Sequence, residues 1–282
     1  MLLETHGLRV QLTSDLHLDH WRQQHHRAHL PIEPQADLLV IAGDVCNGLP
    51  HKDDLDWLQT VSDLQEWPHG IFMVLGNHDY YDLELQHAAK AWRQALRGTR
   101  IQVLNRDVAT VKGVRIAGCT LWTDFDRCSP LLMLDAKALN DYRHILNDGH
   151  LVTADDILAA HYRDMNWLID LPEHSDDDPL IIVTHHAPSW QSTHPHKRND
   201  PLGGAYVSAL EWVMAELKPA LWLHGHVHAK QDYLSGPLSR PTRVVSNPMG
   251  YCGEDVPHGE CTFEESWVAG HQDGLQSAGV LR

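Results

Sequence analysis

Short apolar runs, each followed by polar residues with reactive side chains, recur along the chain. Five such runs cover residues 8–12, 38–42, 71–75, 180–183 and 220–223. Their length fits strands, and apolar runs of this kind are typical of strands that are buried on both faces of a parallel sheet. The pattern therefore predicts buried strands whose carboxyl ends carry the chemically active residues.

Segments in which apolar residues recur at helical spacing lie between the predicted strands. One helix is expected to begin at Asp82, a suitable N-cap, and to end near Gly98. A second helix is expected after Thr153, which together with Asp156 resembles a capping box. A third is expected within residues 205–217. Strands that alternate with helices favour an α/β fold, in which ligands bind at the carboxyl ends of the strands.

The remaining segments predict further strands and one long loop. Residues 100–111, 114–120 and 243–246 have strand character and are assigned to a second sheet. Residues 20–35 are polar and rich in histidine and proline, and we expect them to form a loop over the site. No internal repeat and no linker rich in glycine and serine divides the chain, so a single domain over residues 1–282 is expected.

The charge balance argues against one class of partner. Lysine and arginine number 22 against 38 aspartate and glutamate residues, and the formal net charge is −16. Such a protein repels polyanions unless basic residues gather on one face. The longest basic cluster, Lys197-Arg198, is too short to follow a phosphate backbone. The sequence therefore disfavours long nucleic acid as a partner.

Cysteine usage and hydropathy bear on the compartment. The five cysteines form no C-x-x-C pair, and their odd number leaves one unpaired in any disulfide scheme. The first seven residues lack the basic and apolar segments of a signal peptide. No apolar run is long enough to span a bilayer. These features predict a cytoplasmic protein without a membrane span.

Candidate metal ligands directly follow the first two predicted strands. In Asp15-Leu-His17 one residue separates a carboxylate from an imidazole, so an extended backbone would direct both side chains to one ion. Asp44 follows Gly43, whose missing side chain permits a close approach to an ion. The two oxygens of the Asp44 carboxylate can bridge two metals. Capping of the following turn is the alternative role for Asp44.

The third strand is followed by Asn77 and His78. The amide oxygen of Asn77 can bind a hard ion, although Gly-Asn is also common in turns. His78 can donate a proton or stabilise charge without being a ligand. After the fourth strand come His185 and His186, and either of the two could be a ligand.

Three histidines at alternate positions follow the fifth strand, and a glycine separates the first two. They are His224, His226 and His228. Alternation lets several imidazoles converge from one backbone segment, so His226 and His228 are strong metal-binding candidates on the sequence alone.

The order of these elements resembles that of the calcineurin-like metallophosphoesterase superfamily. That superfamily has D-x-H, then G-D, then G-N-H-[D/E], then a histidine after a strand, and finally G-H-x-H. The same pattern stands here as Asp15-Leu16-His17, Gly43-Asp44, Gly76-Asn77-His78-Asp79, His185 and Gly225-His226-Val227-His228. The resemblance implies a four-layer α-β-β-α sandwich with two mixed sheets and the metal site at the carboxyl ends of the strands.

The resemblance also implies a role for each matching residue. One metal ion is assigned to Asp15, His17 and His228. A second is assigned to Asn77, His185 and His226, with Asp44 as the bridge between the two ions. His78 matches the superfamily's non-ligand histidine, which contacts the phosphoryl group and protonates the leaving oxygen. His185 is preferred over His186 because the first histidine after the strand usually matches, and His224 is outside the pattern.

The function implied is hydrolysis of a phosphate ester by a hydroxide that bridges two metal ions. The expected substrate is a small-molecule phosphomonoester or phosphodiester, and the sequence leaves open which of the two. Mixed nitrogen and oxygen ligands suit Mn, Fe or Zn, and the sequence does not choose among them. Oligomeric state is also left open. The alternative is a non-catalytic scaffold protein on the same fold, but scaffold members tend to have a degraded ligand set.

Overall fold

The computed structural model describes residues 8–25, 32, 34, 36–63, 67–173, 178–193, 200–251 and 267–269. The basic pair Lys197-Arg198 and two cysteines, Cys252 and Cys261, lie outside these ranges. The three cysteines inside them are free thiols.

The described strands include one at each of the five apolar runs. They are β1 (Val10–Thr13), β2 (Leu38–Ala42), β3 (Ile71–Val74), β4 (Ile101–Val103), β5 (Asp107–Val111), β6 (Val114–Gly118), β7 (Leu146–Asn147), β8 (His150–Leu151), β9 (Leu180–Val183), β10 (Leu221–His224), β11 (Gln231–Ser235), β12 (Thr242–Ser246) and β13 (Trp267–Ala269).

The helices vary widely in length. They are α1 (Leu18–His25), α2 (Lys52–Asp63), α3 (Ala88–Ala95), α4 (Phe125–Cys128), α5 (Pro130–Asp135), α6 (Asp141–His144), α7 (Ala154–Ile169) and α8 (Glu211–Leu217). The single turn α4 has left-handed backbone at Asp126 and Arg127, with φ of 49° and 60°.

Two mixed sheets face each other. The first has the strand order β13-β1-β2-β3-β4, and all its neighbours are parallel except the pair β13 and β1. The second has the order β11-β12-β10-β9-β6-β5, with antiparallel pairs only at its two edges. Parallel pairing directs the carboxyl ends of β1, β2 and β3 the same way, and likewise those of β9 and β10.

Alternation of side chains along each strand builds three apolar layers between four layers of structure. Along β2, Leu38 and Val40 pack between the sheets, whereas Leu39 and Ile41 pack against the helices outside the first sheet. Outside the second sheet, the side chains of β9 and β10 pack against those of α7 and α8. The predicted four-layer α-β-β-α architecture is therefore confirmed, and it explains why the strand runs are continuously apolar.

The predicted capping box at the start of α7 is present. The Thr153 side chain accepts a hydrogen bond from the Asp156 amide at 3.2 Å, and the Asp156 carboxylate accepts from the Thr153 amide at 2.8 Å.

Four local predictions were wrong. The first predicted helix begins at Ala88, with His87 as its N-cap, and not at Asp82. Residues 100–111 do not form one strand of the second sheet, because β4 pairs with β3 in the first sheet and only β5 belongs to the second. Residues 18–25 are helical, so residues 20–25 are not part of the predicted loop, and most of its remainder lies outside the described residues. The third predicted helix is restricted to α8, since residues 203–205 form a separate 3-10 turn.

Within the described ranges, no helix combines the length and apolar character required to cross a membrane.

Candidate metal centre

The predicted ligand segments meet at one edge of the two sheets. The segments after β1, β2 and β3 come from the first sheet, and those after β9 and β10 come from the second. Three groups of side chains there have ligand atoms within 4.8 Å of one another, and each group could hold a metal ion. The first group is Asp15, His17 and His228, and the second group is Asp44, His185 and His226. A third set, His17, Asp44 and His78, shares one residue with each of them.

The backbone at the candidate ligands differs from the expectation of an extended segment at Asp15-Leu-His17. Asp15 and His17 have φ of 53° and 42°, in the left-handed region. Asp44, His226 and His228 share this feature, with φ of 55°, 70° and 43°. Left-handed backbone costs about 1–3 kcal/mol for each residue with a side chain, so surrounding contacts must stabilise it. The convergence of these side chains therefore depends on tight turns at the strand ends.

Asp79 stabilises the turns after β2 and β3. Its carboxylate accepts hydrogen bonds from the backbone amides of Asp44 at 2.9 Å, Val45 at 2.9 Å and Gly76 at 2.8 Å. The carboxylate is fully buried. Asp79 thus joins two ligand-bearing turns.

Two glycines allow these turns to approach each other. A Cβ atom on Gly76 would lie 2.1 Å from Asp44 Oδ1, and one on Gly43 would lie 2.5 Å from His185 Nδ1. Both distances are shorter than any tolerated contact. The glycines are required because the carboxylate and imidazole occupy the space that a side chain would take.

The first group places two imidazoles and a carboxylate around one point. The Nε2 atoms of His17 and His228 are 3.2 Å apart, and Nε2 of His228 is 3.4 Å from Asp15 Oδ1. Burial lowers the pKa of His17 to about 3, despite the opposing effect of the Asp44 carboxylate. The His17 ring is therefore neutral at pH 7, the form that binds a metal.

The second group centres on His185. Its Nε2 atom lies 3.0 Å from Asn77 Oδ1 and 3.3 Å from Asp44 Oδ2, and all three residues are buried. His226 lies beside them, with ring centroids 4.9 Å from those of His185. Asn77 thus joins the second group through its amide oxygen, as its predicted role requires.

One oxygen of Asp44 faces both groups. Asp44 Oδ2 lies 3.3 Å from Nε2 of His185 and 3.9 Å from Nε2 of His17, whereas Oδ1 accepts the His78 amide at 2.9 Å. Burial raises the pKa of Asp44, but the neighbouring histidines outweigh burial and hold that pKa well below its usual value. A single ionised oxygen is therefore available between the two groups.

The atoms of the second group that could bind a metal are arranged to accept a cation. His185 Nδ1 lies 2.8 Å from the Ala42 carbonyl oxygen and therefore donates to it. The Nε2 lone pair of a neutral His185 ring then faces two further acceptors, the oxygens of Asn77 and Asp44. Burial lowers the pKa of His185, but Asp44 outweighs this effect and the pKa rises to about 9. These acceptors require a positive charge among them, which a metal ion or a proton can supply.

His78 lies at the open side of the first group. Its Nδ1 is 2.6 Å from Asn47 Oδ1, and its Nε2 is 2.8 Å from the hydroxyl oxygen of Tyr251. The amide oxygen of Asn47 can only accept a hydrogen bond, so Nδ1 of His78 carries a proton. Nε2 points toward the Tyr251 hydroxyl. The Tyr251 ring also stacks on His17, with ring centroids 4.2 Å apart.

Neither His186 nor His224 takes part in the groups described. The His186 ring packs against the His226 ring, with ring centroids 4.1 Å apart. His224 Nε2 is 2.8 Å from Ser192 Oγ, in the buried interior. The geometry thus favours His185 over His186 as the residue facing Asn77 and Asp44.

A cleft of about 240 Å³ opens onto the candidate ligands. Sequence reasoning missed several of its residues, among them Tyr81, Asp141, Tyr206 and Tyr251. Burial raises the pKa of Asp141, and hydrogen bonds from Asn77 and Tyr81 partly counter that effect. Tyr81 lies only two residues after Asp79, but none of these residues belongs to a ligand motif, so no local pattern marks them.

Known proteins resemble this chain in sequence and in fold. Residues 8–230 match the family model described as calcineurin-like phosphoesterase. An uncharacterized protein of Acanthamoeba polyphaga mimivirus is 25% identical over 233 residues, which cover 77% of this chain and 79% of that protein. A crystal structure of phosphopantetheinyl hydrolase from Mycobacterium tuberculosis aligns with a TM-score of 0.64 over 96% of this chain and 99% of that chain. The sequence identity to that structure is 16%, so the likeness shows a shared fold.

Proposed function

Because the chain belongs to the calcineurin-like phosphoesterase family, we propose that it is a phosphoesterase with two metal ions that hydrolyses a small-molecule phosphomonoester or phosphodiester. The proposed ligands of one ion are Asp15, His17 and His228. Those of the other are Asn77, His185 and His226, and Asp44 is the proposed bridge. The metals are proposed to be Mn, Fe or Zn, which accept mixed nitrogen and oxygen ligands.

The position of Asp44 Oδ2 is the observation that carries this proposal. This one buried oxygen lies 3.9 Å from an imidazole nitrogen of the first group and 3.3 Å from one of the second. An ionised oxygen between two sets of imidazole nitrogens is the arrangement that two cations sharing a bridge require. A scaffold protein has no comparable need for such a buried arrangement.

The residues of the chain divide the chemical work. Bound metal ions would supply Lewis-acid activation of water and neutralise charge on the phosphoryl oxygens. Asn47 holds the Nδ1 proton of His78, so the ring can act as an acid only in its doubly protonated form, in which a second proton on Nε2 would pass to the leaving oxygen. General acid catalysis of this kind contributes about 10²–10⁴-fold. The left-handed turns and the Asp79 hydrogen bonds hold the ligands in place before substrate binds.

The cleft supports a small-molecule substrate. Its volume of about 240 Å³ fits a compact ester, and its described wall includes the carboxylates of Asp141 and Asp200. These carboxylates, together with the net charge of −16, disfavour long nucleic acid. A single domain is supported by the shared core between the two sheets. The predicted cytoplasmic location stays a prediction.

The proposal is tested by measuring bound metal and ester hydrolysis on the same protein. Purified protein should hold two equivalents of metal after incubation with Mn²⁺ and dialysis, as determined by elemental analysis. It should hydrolyse p-nitrophenyl phosphate, bis-p-nitrophenyl phosphate or both. Asp44→Asn should lower kcat/KM by more than about 100-fold, since even residues that only orient a metal ligand contribute 10–100-fold.

Asp135→Asn is the matched control, because it removes an exposed carboxylate outside the cleft. It should leave both measurements unchanged. A protein that binds no metal and hydrolyses neither ester would exclude the proposed activity. Hydrolysis of the monoester alone would identify a phosphomonoesterase.

A further inference from the structure

Asp141 lies at the start of α6, in the segment between β6 and α7 that forms one wall of the cleft. One of its carboxylate oxygens, Oδ1, accepts two hydrogen bonds. Asn77 Nδ2 donates to it at 2.8 Å, and the Tyr81 hydroxyl donates to it at 2.9 Å. Asp141 is 64 residues from Asn77 in sequence, so this contact depends entirely on the fold.

The two ends of the Asn77 amide face different partners. Its oxygen lies 3.0 Å from Nε2 of His185, inside the second group, and its nitrogen donates to Asp141. A rotation of the amide by half a turn would present N–H donors to the second group and would leave an oxygen against a carboxylate. An ionised carboxylate only accepts hydrogen bonds, so Asp141 favours the orientation that directs the Asn77 oxygen inward.

The wall segment is fixed against the chain that follows His78. The Asp82 amide donates to the His144 carbonyl oxygen at 2.7 Å, and the Leu85 amide donates to that of Leu146, also at 2.7 Å. These backbone hydrogen bonds hold α6 beside Tyr81. The Asp141 carboxylate is thereby held in place by the fold, independently of any ligand.

We propose that Asp141 is a positioning residue that orients the Asn77 amide oxygen toward the second metal ion and thereby sets the affinity of that site. The inference rests on the proposed function, because it concerns one of the two proposed metal sites. The inference goes beyond the proposed function, since it assigns a residue of the cleft wall a role in metal binding. Groups that hydrogen-bond a metal ligand from outside typically contribute about 10–100-fold to metal affinity.

Calorimetric titration of the metal-free protein with Mn²⁺ tests this inference without any measurement of activity. The wild-type protein should bind two ions. Asp141→Ala should weaken one of the two binding events by about 10–100-fold and leave the other within about twofold. Asp141→Asn keeps an acceptor oxygen but lacks the charge, so its loss should be smaller than that of Asp141→Ala.

Two matched variants assign the effect. Tyr81→Phe removes the other hydrogen bond to the same Asp141 oxygen and should leave both affinities within about twofold. Asp135→Ala removes an exposed carboxylate from the same wall segment and should change neither affinity. If Asp141→Ala fails to fold, as judged by circular dichroism, the Mn²⁺ affinities of the other proteins provide the test. Asp141→Asn should bind one ion more weakly than wild type and Tyr81→Phe do.

The outcomes separate this inference from the proposed function. Two unchanged binding events in the Asp141 variants would overturn the role of Asp141 while leaving the two-metal proposal intact. The same holds if a raised KM with unchanged metal affinity shows that Asp141 acts on the substrate. A wild-type protein that binds no Mn²⁺ would overturn both proposals together.

Discussion

The ligand cluster at the strand ends and the wall of the cleft are built in opposite ways. The cluster consists of residues that directly close buried strands, and Asp15, Asp44 and His185 are almost completely enclosed. The wall comes from irregular segments between strands, such as α6 and the residues that follow β12. The difference indicates that the proposed metal sites are set by the core of the fold, whereas the cleft wall consists of segments that can vary without disturbing that core.

The largest loss of stability is expected from Asp79→Ala, a substitution in the ligand cluster. This change removes the acceptor for the amides of Asp44, Val45 and Gly76, which are buried. Each unsatisfied buried donor costs about 1–3 kcal/mol, so we expect the free energy of unfolding to fall by about 3 kcal/mol or more. Urea denaturation measures that loss, and elemental analysis should show that both metals are lost. Retention of both metals would mean that the cluster does not depend on its turns.

A moderate effect is expected from Thr153→Ala, at the junction between the wall segment and α7. Loss of the cap should lower the free energy of unfolding by about 1 kcal/mol, without a change in metal content. Burial raises the pKa of Asp156, but hydrogen bonds from Thr153 outweigh burial and lower that pKa. The stabilisation is therefore present above the pKa of the unfolded chain and lost as the pH falls through the lowered value.

The measurement that checks this prediction is urea denaturation of wild type and Thr153→Ala at pH 7 and near pH 3. The difference between the two proteins should shrink at the lower pH. If Thr153→Ala lost metal as well as stability, the ligand cluster would depend on the wall segment and α7, and the two regions would not be independent.

The smallest effect is expected from Tyr206→Phe, in the wall beside His226. The Tyr206 ring lies 5.1 Å from that of His226, and the phenylalanine ring keeps this packing. We expect the free energy of unfolding to stay within about 0.5 kcal/mol and both Mn²⁺ affinities to stay unchanged. Any change should be confined to KM, as measured with the aryl phosphate esters. Loss of a metal ion would place Tyr206 in the cluster.

The sequence was sufficient to predict which residues meet at the site. It was insufficient to predict the backbone turns that bring them together. Apolar strands that end in Asp15, Asp44, Asn77 and His185 place these residues at the same edge of the two facing sheets. The left-handed backbone at Asp15 and Asp44 was not predicted, because it depends on hydrogen bonds between separate turns.

The strand assignments and the wall show the same limit. Residues 100–111 look like one strand, and only packing decides that β4 and β5 belong to different sheets. Asp141 follows no recognisable ligand pattern, and its contact with Asn77 spans 64 residues. Contacts of this kind are set by the assembled fold, so a reading of local sequence cannot supply them.

Each proposed metal site takes its ligands from both sheets, since His228 meets Asp15 and His17, and His185 meets Asp44. Docking of the sheets and capture of the cations are therefore thermodynamically linked. Each tenfold rise in free metal above the dissociation constant of a site should add about 1.4 kcal/mol to the stability of the folded chain. The supply of metal would thus govern how long the protein persists as well as whether it works.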